Sequence, residues 1–206
     1  MRKIAVLVAA VTALVALIAA PALAQNQPQG TPVRVRGTVD KLDGKDLVVK
    51  TKDGQAQTVI LADDARVIAL VKKTIADFKP GDTVASTGVK DKEGKLRAIE
   101  VRILPQPFAD GGRQFAWDLS PDSVMTNATI GTITKTPDGA VFHVTFKGGE
   151  SEYTIGPDTA VLGNGPADLS ALTSGVTVVA FATRGGDGKV TSRVVFVEKD
   201  GVKPPM

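Results

Sequence analysis

His143 is the single histidine of the chain, and there is no cysteine. An imidazole can serve as a base, a proton shuttle or a metal ligand, but each role needs partners: a nucleophile with an orienting carboxylate, or further ligands. His143 lies in Val141-Phe142-His143-Val144, whose alternation reads as a strand with the imidazole on the outward face. Without a cysteine or second histidine it completes no metal set. Thiolate sites, cysteine nucleophiles, dithiol redox chemistry and disulfides are all excluded. After Met1, only Met125 and Met206 remain, too few for a thioether copper site. Carboxylates pair at Asp63-Asp64 and recur at Asp158, in segments that read as turns and lack the oxygen-rich loop of a hard-cation site. The serines form no nucleophile elbow, and the Gly pairs fall between strands, not between a strand and a helix, so no phosphate cradle is predicted. These residues predict no enzyme, no cofactor and no metal centre.

Binding is the chemistry that remains. The chain holds one Trp, one Tyr and seven Phe, and three of these aromatics, Phe108, Phe115 and Trp117, fall between Leu104 and Asn127. Pro105, Pro107, Gly111-Gly112 and Pro121 make that stretch read as a linker. A place for its aromatics is visible elsewhere. In the strand ending the first half, Ile99, Val101 and Ile103 face a core, and Glu100 and Arg102 between them are expected to be wet. At the matching positions of the second half stand Val194 and Phe196, and Thr87 is matched by Phe181. An apolar outer face calls for a cover. Phe115 and Trp117 are therefore expected to pack on Phe181, Val194 and Phe196, or to meet a ligand there. Tyr153 joins Phe115, Trp117, Phe181 and Phe196 as a contact candidate, since Trp117 and Tyr153 could stack a sugar.

The elements that must position these residues are strands. Short runs rich in Val, Ile and Thr are punctuated by Asp-Gly, Gly-Gly and Pro-Gly. The pattern also repeats. Gly37-Thr38-Val39 returns as Gly131-Thr132-Ile133, Val49 as Val144, Gly81 as Gly175, Thr83-Val84 as Thr177-Val178, and Val101 as Val195, always 94 or 95 residues later. Strands are predicted at 33–41, 46–52, 56–61, 82–89 and 96–103 of the first copy. Lys72 to Phe78 is a helix-like insert between the third and fourth, and Asp168 to Leu172 is its counterpart. That order is the order of the OB-fold, a small Greek-key barrel. The fold class is therefore all-β, two tandem five-stranded OB-like barrels, each with one short helix or loop between strands three and four. Small β-sandwiches are the alternative. The expected domains are a first module at 33–104, an aromatic-bearing linker at 105–126, a second module at 127–198 and an extended, exposed tail at 199–206.

Gly37-Thr38-Val39, the turn from Asp64 to Val67, Phe78-Lys79-Pro80-Gly81-Asp82 and Glu93-Gly94-Lys95 also resemble a known group. They are similar to motifs of secreted bacterial domain-of-unknown-function proteins built from small OB-like barrels, over nearly all of 33–103 and more loosely over 127–197. The resemblance implies a fold and brings no catalytic residues.

Arg2-Lys3, the apolar run Ile4 to Ala20, Pro21 and the small-x-small pattern Ala22-Leu23-Ala24 predict a signal peptide at 1–24, cleaved between Ala24 and Gln25, and a periplasmic protein. Residues 25–32 are then a disordered N-terminal segment, and nothing after residue 24 predicts membrane insertion. Residues 25–105 carry 15 basic against 11 acidic side chains, and 106–206 carry 8 against 11. Single-strand nucleic-acid binding needs bases stacked on aromatics along a basic groove. Here the basic half has one aromatic, Phe78, and the aromatic half is acidic, so no nucleic acid is expected. The function predicted is a non-enzymatic periplasmic binding or protein-interaction module of the cell envelope. Its partner would be an envelope protein, a glycan or a small ligand. The alternatives are an accessory protein of metal handling or transport with a weak oxygen-ligand site, and a glycan-binding module.

Overall fold

Among the described residues, alternation of small apolar and polar residues gives twelve strands: β1 (Thr31–Asp43), β2 (Asp46–Thr51), β3 (Ala56–Lys72), β4 (Thr83–Lys90), β5 (Leu96–Leu104), β6 (Arg113–Ala116), β7 (Ser123–Thr136), β8 (Gly139–Phe146), β9 (Gly149–Ile155), β10 (Ala160–Pro166), β11 (Thr177–Arg184) and β12 (Val190–Val197). The structure is a computed structural model that describes residues 30–93 and 95–205. The expected signal peptide, its cleavage junction and residues 25–29 lie outside the described residues. In β2 the rule is plain: Leu47 and Val49 point into a core while Asp46 and Lys50 face water. The turn from β1 to β2 needs a left-handed residue, and Gly44 supplies it at φ 58°.

The pairings place ten of these twelve strands in two rings, and neither ring is made of one half of the chain. β1 pairs with β2, β2 with β3, β3 in parallel with β12, β12 with β11, and β11 back with β1, closing a five-stranded barrel. Its core includes Val39, Leu47, Val49, Val59, Val178 and Val195. Five more strands follow β7-β8-β9-β5-β4 and back to β7, with the parallel β9–β5 contact made by Leu96 opposite Tyr153 and Arg97 opposite Thr154; β6 adds to β7, and β10 lies between β3 and β5. Val84, Val101, Ile130, Phe142, Tyr153 and Ile155 fill that second core.

This corrects the expected domains. Modules at 33–104 and 127–198 would each keep their own last two strands, whereas here β4 and β5 go to the ring of β7–β9, and β11 and β12 go to the ring of β1–β3. The reason lies in β3. The expected strand 56–61 does not stop but runs to Lys72, past the bulge at Asp63-Asp64, and carries the chain out of the first ring into the second. Its far end pairs with β10 symmetrically about Leu70 opposite Asn164, so Leu162 faces Lys72 and Pro166 faces Ile68. Leu70 and Asn164 are themselves 94 residues apart.

Other expectations need smaller corrections. The helix-like inserts are 3-10 turns at Ile75–Asp77 and Leu169–Ala171. Residues 105–126 are not all linker, because β6 pairs with β7 and β7 begins at Ser123. β1 begins at Thr31, inside the expected N-terminal segment. Pro204 is buried, so the tail at 199–206 is not simply extended and exposed; a Lys199–Val202 bridge folds it back. The counterpart of Gly37-Thr38-Val39 is also shifted. Val39 and Ile130 each bond the residue preceding the fourth strand of their ring and each sit just before a bulge, Val39 opposite Val49 and Ile130 opposite Val144. The second hairpin is therefore four residues longer than the first.

Candidate functional site

Period-two alternation brings the linker aromatics to one face. Arg113 and Phe115 of β6, then Trp117 just beyond it, lie beside Met125 and Asn127 of β7, with Phe115 paired to Met125 and Arg113 to Asn127. Ser123 fixes the exit from β6: its hydroxyl donates to the Trp117 carbonyl (3.0 Å), and its carbonyl accepts from the Trp117 N–H (2.8 Å). Trp117 is 6% exposed. The surface it covers belongs to the other ring, where Phe181 of β11 and Val194 and Phe196 of β12 stand. Ring centroids are 5.8 Å apart for Phe115–Trp117, 6.1 Å for Trp117–Phe181 and 5.5 Å for Phe181–Phe196. Together with Leu70, Ala85, Met125 and Leu162 these residues form a third apolar cluster, in the seam between the rings. Burying one such side chain contributes about 1.5–3 kcal/mol.

The seam is not filled. A cleft of about 380 Å³ opens there, lined by Phe108, Phe115, Trp117, Phe181 and Phe196 together with Arg34, Arg102 and Arg113. Each guanidinium lies over an aromatic ring: Arg34 at 4.0 Å from the Trp117 centroid, Arg102 at 4.2 Å from Phe196, Arg113 at 5.1 Å from Phe115. The ring quadrupole attracts the cation in each case, and more strongly where water is excluded. Among the described residues the lining contains three cations and no carboxylate.

No family model, curated protein or solved structure matches this chain. The site therefore stands on its own geometry.

Two carboxylates lie just behind the lining. Asp118 forks onto Arg36 through bonds of 2.7 and 3.1 Å and stands 3.9 Å from Arg34. Burial works upward on its carboxyl, but the Arg36 hydrogen bonds and the charges of Arg36 and Arg34 outweigh it and hold the group below the usual range. Glu100 is the second. The expectation that Glu100 and Arg102 are wet is wrong: they are 1% and 5% exposed. The face of β5 that carries them looks into the seam, where the Arg102 guanidinium lies over Phe196 of β12 in the first ring. Desolvation pushes the Glu100 carboxyl up to about 7 against the pull of Arg102. The two stand 3.7 Å apart, and neither Glu100 oxygen nor the Nε and Nη1 of Arg102 has a hydrogen-bond partner among the described residues. The Trp117 indole N–H and the Arg34 Nε are in the same condition.

Phe115, Trp117, Phe181 and Phe196 are thus brought together, and Tyr153 is not. Tyr153 is wholly buried in the second core, its hydroxyl bonded to Thr126, and burial raises its pKa. It cannot stack a sugar. His143 lies between Glu150 (3.3 Å) and Glu152 (3.7 Å) on the outer face of β8, each carboxylate at a different ring nitrogen. Asp63 and Asp64 sit on the β3 bulge rather than in a turn, paired with Lys45 and Arg193. Sequence reasoning missed the arginines. The one signal for Arg102 was opposite charge two residues away on the same strand face, which lets a pair be buried together.

Proposed function

We propose that this protein is a non-enzymatic binding module of the bacterial cell envelope, with the seam cleft as its binding site. In this reading an N-terminal signal peptide exports the chain to the periplasm. The body derives from a duplicated OB-like module whose copies have exchanged their last two strands. The strand orders β1-β2-β3-β12-β11 and β7-β8-β9-β5-β4 support the OB-like assignment, each following the Greek-key order of that fold with a 3-10 turn before the fourth strand. The symmetric register about Leu70 and Asn164 supports the duplication.

The observation that carries the binding reading is the composition of the cleft: concave, mostly apolar with five aromatic rings, with a few convergent charged groups, and within the size range of small-molecule sites. Among envelope proteins, glycans and small ligands, it favours a small ligand. Flat protein-interaction surfaces do not need such a recess, and the sugar-stacking role given to Tyr153 has no exposed ring to rest on. The metal-handling alternative finds Asp63 and Asp64 already neutralised by Lys45 and Arg193.

Native mass spectrometry of the protein released gently from the periplasm of its own host tests this reading. The expected result is a reproducible bound mass that is lost from a Trp117→Ala, Phe181→Ala double variant. A bare monomer, with Trp117 emission unmoved by extracts of the same periplasm, would sink it.

A further inference from the structure

Hydrogen bonding in the seam is unsatisfied on both sides: the Nε and Nη1 of Arg102, the Nε of Arg34 and the Trp117 indole are donors without acceptors, and the two Glu100 oxygens are acceptors without donors. Glu100 does not line the cleft, and the described lining residues offer aromatic faces, aliphatic groups and the amide of Asn127 to the guanidinium groups there. Buried donors in folded proteins nearly always find an acceptor, and a buried guanidinium without one is costly. Arg34 has Asp118 nearby. Arg102 has only Glu100, beyond hydrogen-bond distance, and a carboxyl that titrates near 7 supplies only part of a counter-charge at neutral pH. Arg113 lies at the exposed rim over Phe115, with no carboxylate against it among the described residues.

Resting on the reading of this cleft as a binding site, we propose that its ligand is a small monocarboxylate with an apolar or aromatic body. Arg102 and Arg113 take the carboxylate, and Phe115, Trp117 and Phe196 take the body. Single charge follows from the lining: a multiply charged anion such as phosphate would lose its hydration to a mostly apolar wall, whereas one carboxylate matches a planar guanidinium and leaves the remainder to the rings. A polyanion does not fit, because the cleft is a recess rather than a groove and the half of the chain that carries the aromatics is acidic.

Trp117 is the only tryptophan, so its emission reports on the cleft directly. The purified protein would be titrated with 3-phenylpropionate and with 3-phenylpropan-1-ol, which differ only in the charged end. Expected is a saturable change with both, at least tenfold tighter for the acid. That advantage should disappear in Arg113→Met and in Glu100→Gln/Arg102→Met, the second change keeping the seam neutral when the cation is removed. Circular dichroism checks that both variants are folded, and the rim variant Arg113→Met serves if the buried one is not. Equal affinity for acid and alcohol would overturn the carboxylate assignment and leave the cleft as a site. If neither probe binds but the host protein carries a bound mass, the ligand class is wrong and the binding reading survives. With neither probe nor bound mass, both fall.

Discussion

Arg102 and Phe196 stand 94 residues apart in the sequence, at matching places in the last strands of the two halves, and they meet. The Arg102 guanidinium lies 4.2 Å from the Phe196 ring centroid. Contact between equivalent positions is what a two-fold relation between the rings produces near its axis. The same relation pairs Leu70 with Asn164 and repeats the β3–β12 register in β10–β5: Arg66 opposite Val194, and Ala160 opposite Glu100. At such a place identical residues would face each other. Two arginines would repel, and two phenylalanines would leave Glu100 without its buried cation. One of each gives the stacked pair and a charged group at that end of the cleft.

Glu100 makes stability depend on pH. Its carboxyl is raised from 4.5 to about 7 in the folded state by desolvation. The folded protein therefore holds a proton that the unfolded chain releases above about 4.5, and stability declines as pH rises from there through about 7. The full effect is roughly 3 kcal/mol. Urea midpoints across pH 5 to 8 should fall in the native protein through this group, and Glu100→Gln should remove that fall. An identical slope in the variant would show that Glu100 is not the group responsible.

Removing the cation alone should cost more than removing both charges. Arg102→Met strands a buried carboxylate and should cost about 3–5 kcal/mol at pH 8. The loss should be smaller at pH 5.5, where Glu100 is mostly neutral. Glu100→Gln/Arg102→Met should recover much of it, and the double-mutant cycle should give a coupling of at least about 1 kcal/mol. Additive losses would mean that the pair does not interact across its 3.7 Å.

How much of this was readable beforehand follows from what alternation can carry. Periodicity located β1, β2, β4 and β5, because each reads from neighbours along the chain, and matching positions 94 residues apart pointed to the apolar face of Phe181 and Phe196 on which Phe115 and Trp117 pack. It could not decide which ring a strand joins. Local preferences are the same whichever ring a strand joins, and the choice is made by the connection through 62–72, whose Val67, Ala69 and Leu70 are buried in a strand rather than looped. The arginines were hidden for the same reason. Glu100 and Arg102 are polar residues on an outer face, and that face is wet in a contiguous barrel and dry in an exchanged one. Tyr153 was misplaced because a single strand does not say which of its faces is inward.

Gly88 is required by the ring it touches. A Cβ there would lie 2.6 Å from Cε1 of Tyr153, which is fully buried and anchored to Thr126 and so cannot swing aside. Gly88→Ala should therefore destabilise by about 1–3 kcal/mol through overpacking. Gly186→Ala, where a Cβ meets nothing within 4 Å, should be nearly neutral. Thermal melts of the two variants make the comparison, and equal melting temperatures would mean that Tyr153 has room the packing does not show.

Cooperativity separates the exchanged arrangement from its contiguous rival most sharply. Two barrels each made from one half would be independent folding units joined by a linker, free to melt at their own temperatures. Here the first ring needs β11 and β12 from the far end of the chain, and the second needs β4 and β5 from the near half. Losing either ring strips strands from the other, and the seam cluster around Trp117 and Phe196 opens with them. Calorimetry should show one transition, with a calorimetric enthalpy equal to the van't Hoff value. Trp117 emission in the seam and far-ultraviolet dichroism over all strands should change together. Two resolved transitions, with Trp117 following only one, would return each ring to its own half of the chain.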